Sequence, residues 1–256
     1  MKIPTIMVAF GTTSKAMATY THLDTYLRGH FPGQEIFWSY SSRVITRRLQ
    51  ELENQHVIHP EELLQKLTAR GVEKAVVQSL HLFPGTEFHN LHHLSQNSDI
   101  DCSSGMPILT SPMDYDEVGE LFRPLISARP EQAILVLGHG SVHPTWTAYY
   151  SLEKLLRQKF HKEIHVGVVE KYPKSDHLVD EIADSGITKV CIIPLFLVTG
   201  LHYRRDIMGE GAQSWKSRLQ RRNIAVEAID CGLGLYPGFE QLVIRHILEA
   251  RKAFTS

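Results

Sequence analysis

Leu135-Val136-Leu137-Gly138-His139-Gly140 reads as a short apolar strand running into a glycine turn, and Val8-Ala9-Phe10-Gly11-Thr12-Thr13 has the same plan 127 residues earlier. Each is followed by an amphipathic stretch, ending in Leu27-Arg28-Gly29-His30-Phe31 in the first half and Leu156-Arg157-Gln158-Lys159-Phe160 in the second. Glu35-Ile36 then answers Glu163-Ile164. Further on, Gly71-Val72-Glu73-Lys74-Ala75-Val76-Val77 answers Gly186-Ile187-Thr188-Lys189-Val190-Cys191-Ile192, Gly85 aligns with Gly200, and Glu87 with His202. The offset shortens to 115 because the first half carries a longer middle segment around Glu53 to Pro60. The chain is internally duplicated, and each half is one structural unit.

Within each half, short β-branched runs alternate with helical periods. Strands are expected at Thr5–Phe10, Ile36–Tyr40, Ala75–Leu80, Ile108–Thr110, Ala133–Leu137, His165–Val169, Val190–Leu197 and Ala225–Asp230. Apolar residues three and four apart predict helices over Ala16–His30, Glu61–Ala69, Thr145–Phe160 and Asp176–Asp184. Gly71 and Gly186 fall just past two of these helices, where a left-handed residue ends a helix cheaply, and Ser175 is placed to cap the segment opening at Asp176. Near-continuous apolar strands alternating with helices predict an α/β fold with parallel sheets covered on both faces. The duplication makes it bilobal, with lobes 1–128 and 129–256 meeting near Ala128-Arg129-Pro130 around a cleft. A last helix over roughly Phe239–Ala253 is expected to pack back onto the first lobe.

Composition removes several function classes. Lysine and arginine total 27 against 28 aspartates and glutamates, so no basic footprint points to nucleic acid or an anionic membrane. Cys102, Cys191 and Cys231 form no C-x-x-C pair, which argues against a thiolate zinc site and suits a reducing cytoplasm. Lys2 and the apolar run Ile3 to Phe10 superficially imitate a secretion signal. Gly11-Thr12-Thr13 follows where a small-x-small cleavage site would stand, so a first strand fits better. The longest later apolar run, Val190 to Val198, contains Pro194 and is far short of the roughly 20 residues that span a bilayer, so a soluble protein is expected. Fifteen histidines are many for 256 residues, and they demand a reason.

Ligands of open α/β sheets bind beyond the carboxyl ends of the strands. In the second half His139 follows the first strand, Glu170 the second, and His202 lies a few residues past the third. Two imidazoles and a carboxylate suit a divalent first-row ion such as Co²⁺, Fe²⁺, Ni²⁺ or Zn²⁺. Each residue has a plainer reading. A histidine in Gly-His-Gly is commonly a turn residue, Glu170 beside Lys171 could be half of a solvated ion pair, and His202 before Arg204-Arg205 could be a surface residue. Three such positions on one sheet edge favour the metal. The matching first-half positions, on the alignment of Gly11 with Gly138, hold Thr12, Ser41/Ser42 and Glu87, of which Glu87 stands opposite His202 and is expected to have a functional role. In the same run, His89 and His93 share a helical phase, while His92 and His93 equally suit a polar face or a subunit contact. No H-E-x-x-H, Walker or G-x-G-x-x-G motif is present, so Gly11-Thr12-Thr13 is weak evidence for a phosphate loop.

Together Gly138-His139-Gly140-Ser141, Pro84-Gly85-x-Glu87-Phe88-His89, Val169-Glu170-Lys171 and Gly200-x-His202-Tyr203-x-x-Asp206 resemble the anaerobic cobaltochelatases of the CbiK type, along essentially the whole chain. The resemblance implies two Rossmann-like lobes, shared with ferrochelatases, with a tetrapyrrole in the cleft. It implies insertion of Co²⁺ into sirohydrochlorin on the anaerobic route to cobalamin, with no ATP or other nucleotide. His139, Glu170 and His202 would bind the metal and Glu87 would be an acidic active-site residue. On that reading His139 and Glu87 complete removal of the two ring N–H protons. Thr12, Ser41, Ser42, Arg43, His143, Lys171, Arg204 and Arg205 are candidates for the substrate carboxylates, each equally readable as a solvated surface group. Insertion of Fe²⁺ to give sirohaem, a non-catalytic metal or tetrapyrrole carrier, and a zinc hydrolase are the rivals. A homo-oligomer is left open, since the Glu87–His93 segment and Trp38, Trp146 or Trp215 could serve an interface, although buried aromatics are commoner.

Overall fold

The structure is a computed structural model that describes residues 3–12, 17–53 and 57–255. Thr13, Ala16 and the centre of the longer middle segment of the first half lie outside the described residues. In chain order the elements are β1 (Thr5–Ala9), α1 (Met17–His30), β2 (Ile36–Tyr40), α2 (Arg43–Glu53), α3 (Pro60–Ala69), β3 (Lys74–Ser79), α4 (Thr86–Gln96) and β4 (Asp101–Gly105). There follow α5 (Pro112–Ser127), β5 (Ala133–Gly138), α6 (Ala148–Phe160), β6 (Ile164–Val168), α7 (Leu178–Asp184), β7 (Lys189–Pro194), α8 (Trp215–Gln220), β8 (Ala225–Ala228) and α9 (Phe239–Arg251). One compact unit takes the chain as far as Thr110 and again from Gly238; the other is Ser111–Pro237. On this division α5 belongs with the second unit and α9 with the first, whereas a cut at 128 would separate α5 from the α6 it packs on.

Each unit holds a four-stranded, wholly parallel sheet, ordered β2-β1-β3-β4 in the first and β6-β5-β7-β8 in the second. The central strands are apolar because both faces are covered. All of β1 and β5 is buried, and β3 and β7 are exposed only at their opening lysines. In the first unit Ile6, Val8, Ala75 and Val77 pack with Leu63, Leu64, Leu67 and Leu91; in the second Leu135, Leu137, Val190 and Ile192 pack with Ile182, Ile207 and Leu219. Gly71 and Gly186 take φ of 77° and 79° after α3 and α7. No helix among the described residues is long and apolar enough to cross a membrane.

Several expectations are corrected. The fourth strand is Asp101–Gly105, not Ile108–Thr110. Its polar sequence lacks a strand signature because it is an edge strand, with Ser103 Oγ donating to the Ala250 carbonyl of α9 at 2.6 Å. Ile108 and Leu109 are buried instead in a connection, where their N–H groups bond the carbonyls of His81 and Leu82. Ser175 caps no helix. α7 begins at Leu178, and Ser175 Oγ donates to the Pro173 carbonyl while accepting from the N–H of Val168, tying the next loop to β6. Helices α2, α5 and α8 fall where no helix was expected; α5 starts from a capping box of Ser111 and Asp114.

The last correction concerns the duplication itself. The N–H groups of Ser41 and Ser42 bond the carbonyls of Ala9 and Phe10, as those of Val169 and Glu170 bond Gly138 and His139. Leu80 bonds Val8 as Leu195 bonds Leu137. Gly11 and Gly140 share a left-handed backbone, with φ of 99° and 92°. Gly11 therefore corresponds to Gly140 and not to Gly138, and Phe10, not Thr12, stands where His139 stands. Aligning the first glycine of each turn put the sequences two residues out of register.

Candidate metal centre

His139 stands at the end of β5, Glu170 two residues beyond β6, and His202 at the entry to a single π-helical turn over Tyr203–Ile207, after β7. One nitrogen or oxygen from each falls within 4.8 Å of the others, and this is the only such group of three or more ligating side chains among the described residues. The Nε2 atoms of His139 and His202 are 3.0 Å apart, with the rings nearly perpendicular. With metal–nitrogen bonds of about 2.1 Å, that spacing subtends an angle of about 90° at a shared ion. His139 Nδ1 lies 3.5 Å from Glu170 Oε1. All three side chains are partly exposed, so an ion they held would remain accessible.

Local backbone chemistry explains why these residues meet. Gly140 must be glycine twice over: its φ is left-handed, and a Cβ there would sit 1.8 Å from the Glu170 carbonyl oxygen. That close approach is what brings the loop after β6 against the loop after β5, fixed further by the hydrogen bond from Ser141 N–H to the Tyr172 carbonyl. The N–H of Gly140 donates to the Tyr149 hydroxyl at 3.0 Å, and Tyr149 fits there because Gly138 has no side chain to block its ring. The first unit repeats the device, with Tyr20 bonded to the backbone of Gly11.

The π-turn does the same for His202. Tyr203 and Ile207 are buried in the core of the second unit and anchor it, while the N–H of Met208 reaches back to the Tyr203 carbonyl. On the outward side Asp206 Oδ2 accepts from His202 Nδ1 at 2.6 Å. A carboxylate behind Nδ1 fixes the tautomer that leaves the Nε2 lone pair for a metal. Arg205 pins the same carboxylate through bonds of 2.7 and 2.9 Å. Burial opposes ionisation of Asp206, but the hydrogen bonds from Arg205 and His202 outweigh it and hold the carboxyl below its ordinary range.

Electrostatics keeps His139 and Glu170 in ligating form. Burial, with the neighbouring His202, lowers the pKa of His139 against the opposing pull of Glu170, so the imidazole is neutral near pH 7. Burial works against the Glu170 carboxylate, yet the hydrogen bond from Lys171 and the charges of His139 and Lys171 hold it below its usual value.

The other sequence candidates are scattered over both units. In the first, Glu87 lies in the opening turn of α4, half-buried and in no ion pair among the described residues. Thr12 is buried after β1, Ser41 and Ser42 follow β2, and Arg43 is paired with Glu61 at 2.5 Å. In the second, His143 caps a short 3₁₀ turn through Thr145, Lys171 pairs with Glu170, and Arg204 is exposed at the π-turn. Of the α4 histidines, His89, His92 and His93 are exposed, and His92 bonds Ser104.

Three residues were given no role in the sequence reading. Asp206 stood in the motif four residues after His202, a spacing that could have assigned it one. Tyr149 carried no signal. His81, just past β3, is the third: its Nδ1 lies 2.9 Å from Ser79 Oγ and its Nε2 3.2 Å from Ser41 Oγ. Burial drives its pKa down to about 4.

With this geometry in hand, comparison with known proteins is direct. The cobalt chelatase family, CbiK, matches residues 4–252. The sirohydrochlorin cobaltochelatase of Salmonella typhimurium is 30% identical over 98% of this chain and 97% of its own. That of Nitratidesulfovibrio vulgaris, CbiKC, is 27% identical over 97% and 90%. Among solved structures, the sirohydrochlorin chelatase SirB from Bacillus subtilis subspecies spizizenii, in complex with cobalt, superposes with a TM-score of 0.66 at 16% identity, covering 98% of this chain and 96% of that one. CbiX, described as the terminal enzyme for biosynthesis of siroheme in denitrifying bacteria, gives a TM-score of 0.58 at 14% identity, over 98% and 99%. These two likenesses establish the two-sheet chelatase fold.

Proposed function

Because the chain belongs to the CbiK family of cobalt chelatases, we propose that it is a sirohydrochlorin cobaltochelatase, inserting Co²⁺ into the tetrapyrrole and releasing two protons. The reading is supported by relatives that bear this name over nearly their whole length. The single observation that carries it in the structure is the convergence of His139, Glu170 and His202, with Asp206 behind His202.

Insertion requires a partly dehydrated divalent ion to be handed to four ring nitrogens while two N–H protons leave. In this proposal His139, Glu170 and His202 hold the ion. Two neutral imidazoles and one carboxylate bind Co²⁺ firmly enough to strip water, and release it more readily than thiolates would. As the ion moves to the ring, the His139 imidazole, held neutral by burial, is freed to take one proton. Glu87 takes the other. The step balances in charge, one Co²⁺ entering as two H⁺ leave, and in this proposal no ATP or other nucleotide takes part. Thr12, Ser41, Ser42, Arg43, His143, Arg204 and Arg205 serve the substrate carboxylates in this reading, and Lys171 joins them. The three unpaired thiols fit a cytoplasmic enzyme.

The test is anaerobic absorbance of sirohydrochlorin with Co²⁺, with and without the protein, repeated for His139→Ala, His202→Ala and Glu87→Gln. Acceleration by the wild type, lost in both histidine variants and reduced in Glu87→Gln, is expected. Pigment binding with an unchanged conversion rate would make the protein a carrier and remove the catalytic assignments. Faster conversion with Fe²⁺ than with Co²⁺ would reassign the metal.

A further inference from the structure

Lys171 has a backbone φ of 62°, one of only three non-glycine residues in the left-handed region among the described residues. That conformation favours glycine or asparagine over lysine, so the side chain is kept there against a backbone cost. Its ammonium lies 3.0 Å from Glu170 Oε1, the same oxygen that faces His139 Nδ1 at 3.5 Å. The other cation whose charge reaches Glu170, Arg205, is held on Asp206 by two bonds and is not available to that oxygen.

We propose that Lys171 is a positioning residue that competes with the metal for the Glu170 carboxylate, holding the affinity of the His139–Glu170–His202 site low enough for the ion to be handed on. An ion bound to Oε1 at about 2.1 Å and an ammonium bonded to the same oxygen stand within roughly 5 Å of each other and repel. The two cations share the charge of one carboxylate, and their repulsion weakens the hold of each. When the ion leaves, the ammonium still neutralises Glu170, so release exposes no uncompensated charge. A chelatase needs such a device because a donor site that binds too tightly becomes a trap. This inference rests on the metal-site reading above.

The experiment is calorimetric titration of the intact protein with Co²⁺, anaerobically, for the wild type, Lys171→Gly, Lys171→Met and Lys171→Arg, with His139→Ala as the control on the site. Lys171→Gly also relieves the left-handed backbone, so it should melt no lower than the wild type and cannot fail merely by unfolding. Loss of the charge is expected to tighten Co²⁺ binding roughly three- to tenfold in both the glycine and methionine variants. Lys171→Arg should stay within about twofold of the wild type, and the gain should shrink with added salt because the pair is partly exposed. A structural role would weaken binding instead. Unchanged or weaker binding in a stably folded Lys171→Gly, while His139→Ala loses the ion, would overturn this inference alone. Unaltered Co²⁺ binding in His139→Ala would overturn the metal-site reading and this inference with it.

Discussion

Gly140→Ala puts the architecture of the centre to the test. The added Cβ would lie 1.8 Å from the carbonyl oxygen of Glu170, a backbone atom that cannot swing aside. Ordinary carbon–oxygen contacts stand at about 3.3 Å, so the two loops must part by roughly 1.5 Å. Ligand distances in metal sites tolerate only about 0.2 Å, so displacement of Glu170 on this scale removes it from the ligand set. Co²⁺ affinity should fall at least about a hundredfold. Alanine at φ of 92° adds about 1–2 kcal/mol of backbone strain. The matched control is Gly11→Ala. Its φ is 99° and its Cβ would meet only side-chain carbons, Ile45 Cγ2 at 3.1 Å and Tyr40 Cβ at 3.2 Å. It should therefore lose comparable stability from strain and leave Co²⁺ binding intact. Calorimetric titration with Co²⁺ and thermal unfolding of both variants decide the matter. Binding by Gly140→Ala within about threefold of the wild type would refute the claim that this close approach builds the site.

Asp206→Asn should leave the melting temperature nearly unchanged yet weaken Co²⁺ binding about 10–100-fold, since the amide can fix the wrong imidazole tautomer of His202; calorimetry checks it. His81, with a pKa of about 4 when folded against 6.5 when exposed, is neutral in the native state, so acid favours the unfolded chain. Its contribution to stability is complete above pH 6.5 and should fall by about 2–3 kcal/mol on going to pH 4.5, and urea unfolding of His81→Asn should show that much less acid sensitivity than the wild type. Phe10→His, Ser42→Glu and Glu87→His together should create a second Co²⁺ site in the first unit. Leu91 stands there where Asp206 would be needed, so the new site should bind about 10–100-fold more weakly, seen as a second step in the titration.

The second-unit triad was legible because its logic is topological. A parallel sheet presents residues at its carboxyl edge, and two histidines and a glutamate following three consecutive strands are visible in the sequence without coordinates. The edge strand β4 was not, because Asp101-Cys102-Ser103-Ser104-Gly105 earns its place from backbone pairing to β3 and the cover of α9, not from apolar alternation. α2 carries a helical apolar period in Ile45, Leu49 and Leu52 that the sequence reading passed over, and α8, at six residues, is too short to announce itself. Lys171 was legible as an ion-pair partner of its neighbour Glu170, but its left-handed backbone was not. His81 was hidden for a related reason: burial and the hydroxyls of Ser41 and Ser79, residues distant from one another in sequence, make it a neutral, two-sided hydrogen-bonding group.

The register of the two sheets explains why the described residues of one unit gather the candidate ligands and those of the other do not. Both use the same scaffold: a tyrosine bonded to a left-handed glycine after the first strand, and the residue just before that glycine accepting from the loop after the second strand. The scaffold fixes the first two positions at the sheet edge whatever occupies them, and the third lies seven residues beyond Leu80 and Leu195 in both units. In the second unit they are His139, Glu170 and His202, and in the first Phe10, Ser42 and Glu87. A phenylalanine that is half exposed and a serine cannot replace an imidazole and a carboxylate, so among the described residues of the first unit these positions form no matching ligand set. The same substitution leaves the first unit with an exposed apolar ring and one free carboxylate at its edge. Those groups suit the other half of the proposed chemistry, contact with a macrocycle and acceptance of a proton. Duplication supplied two equivalent edges, and the division of labour between them follows from three side-chain identities.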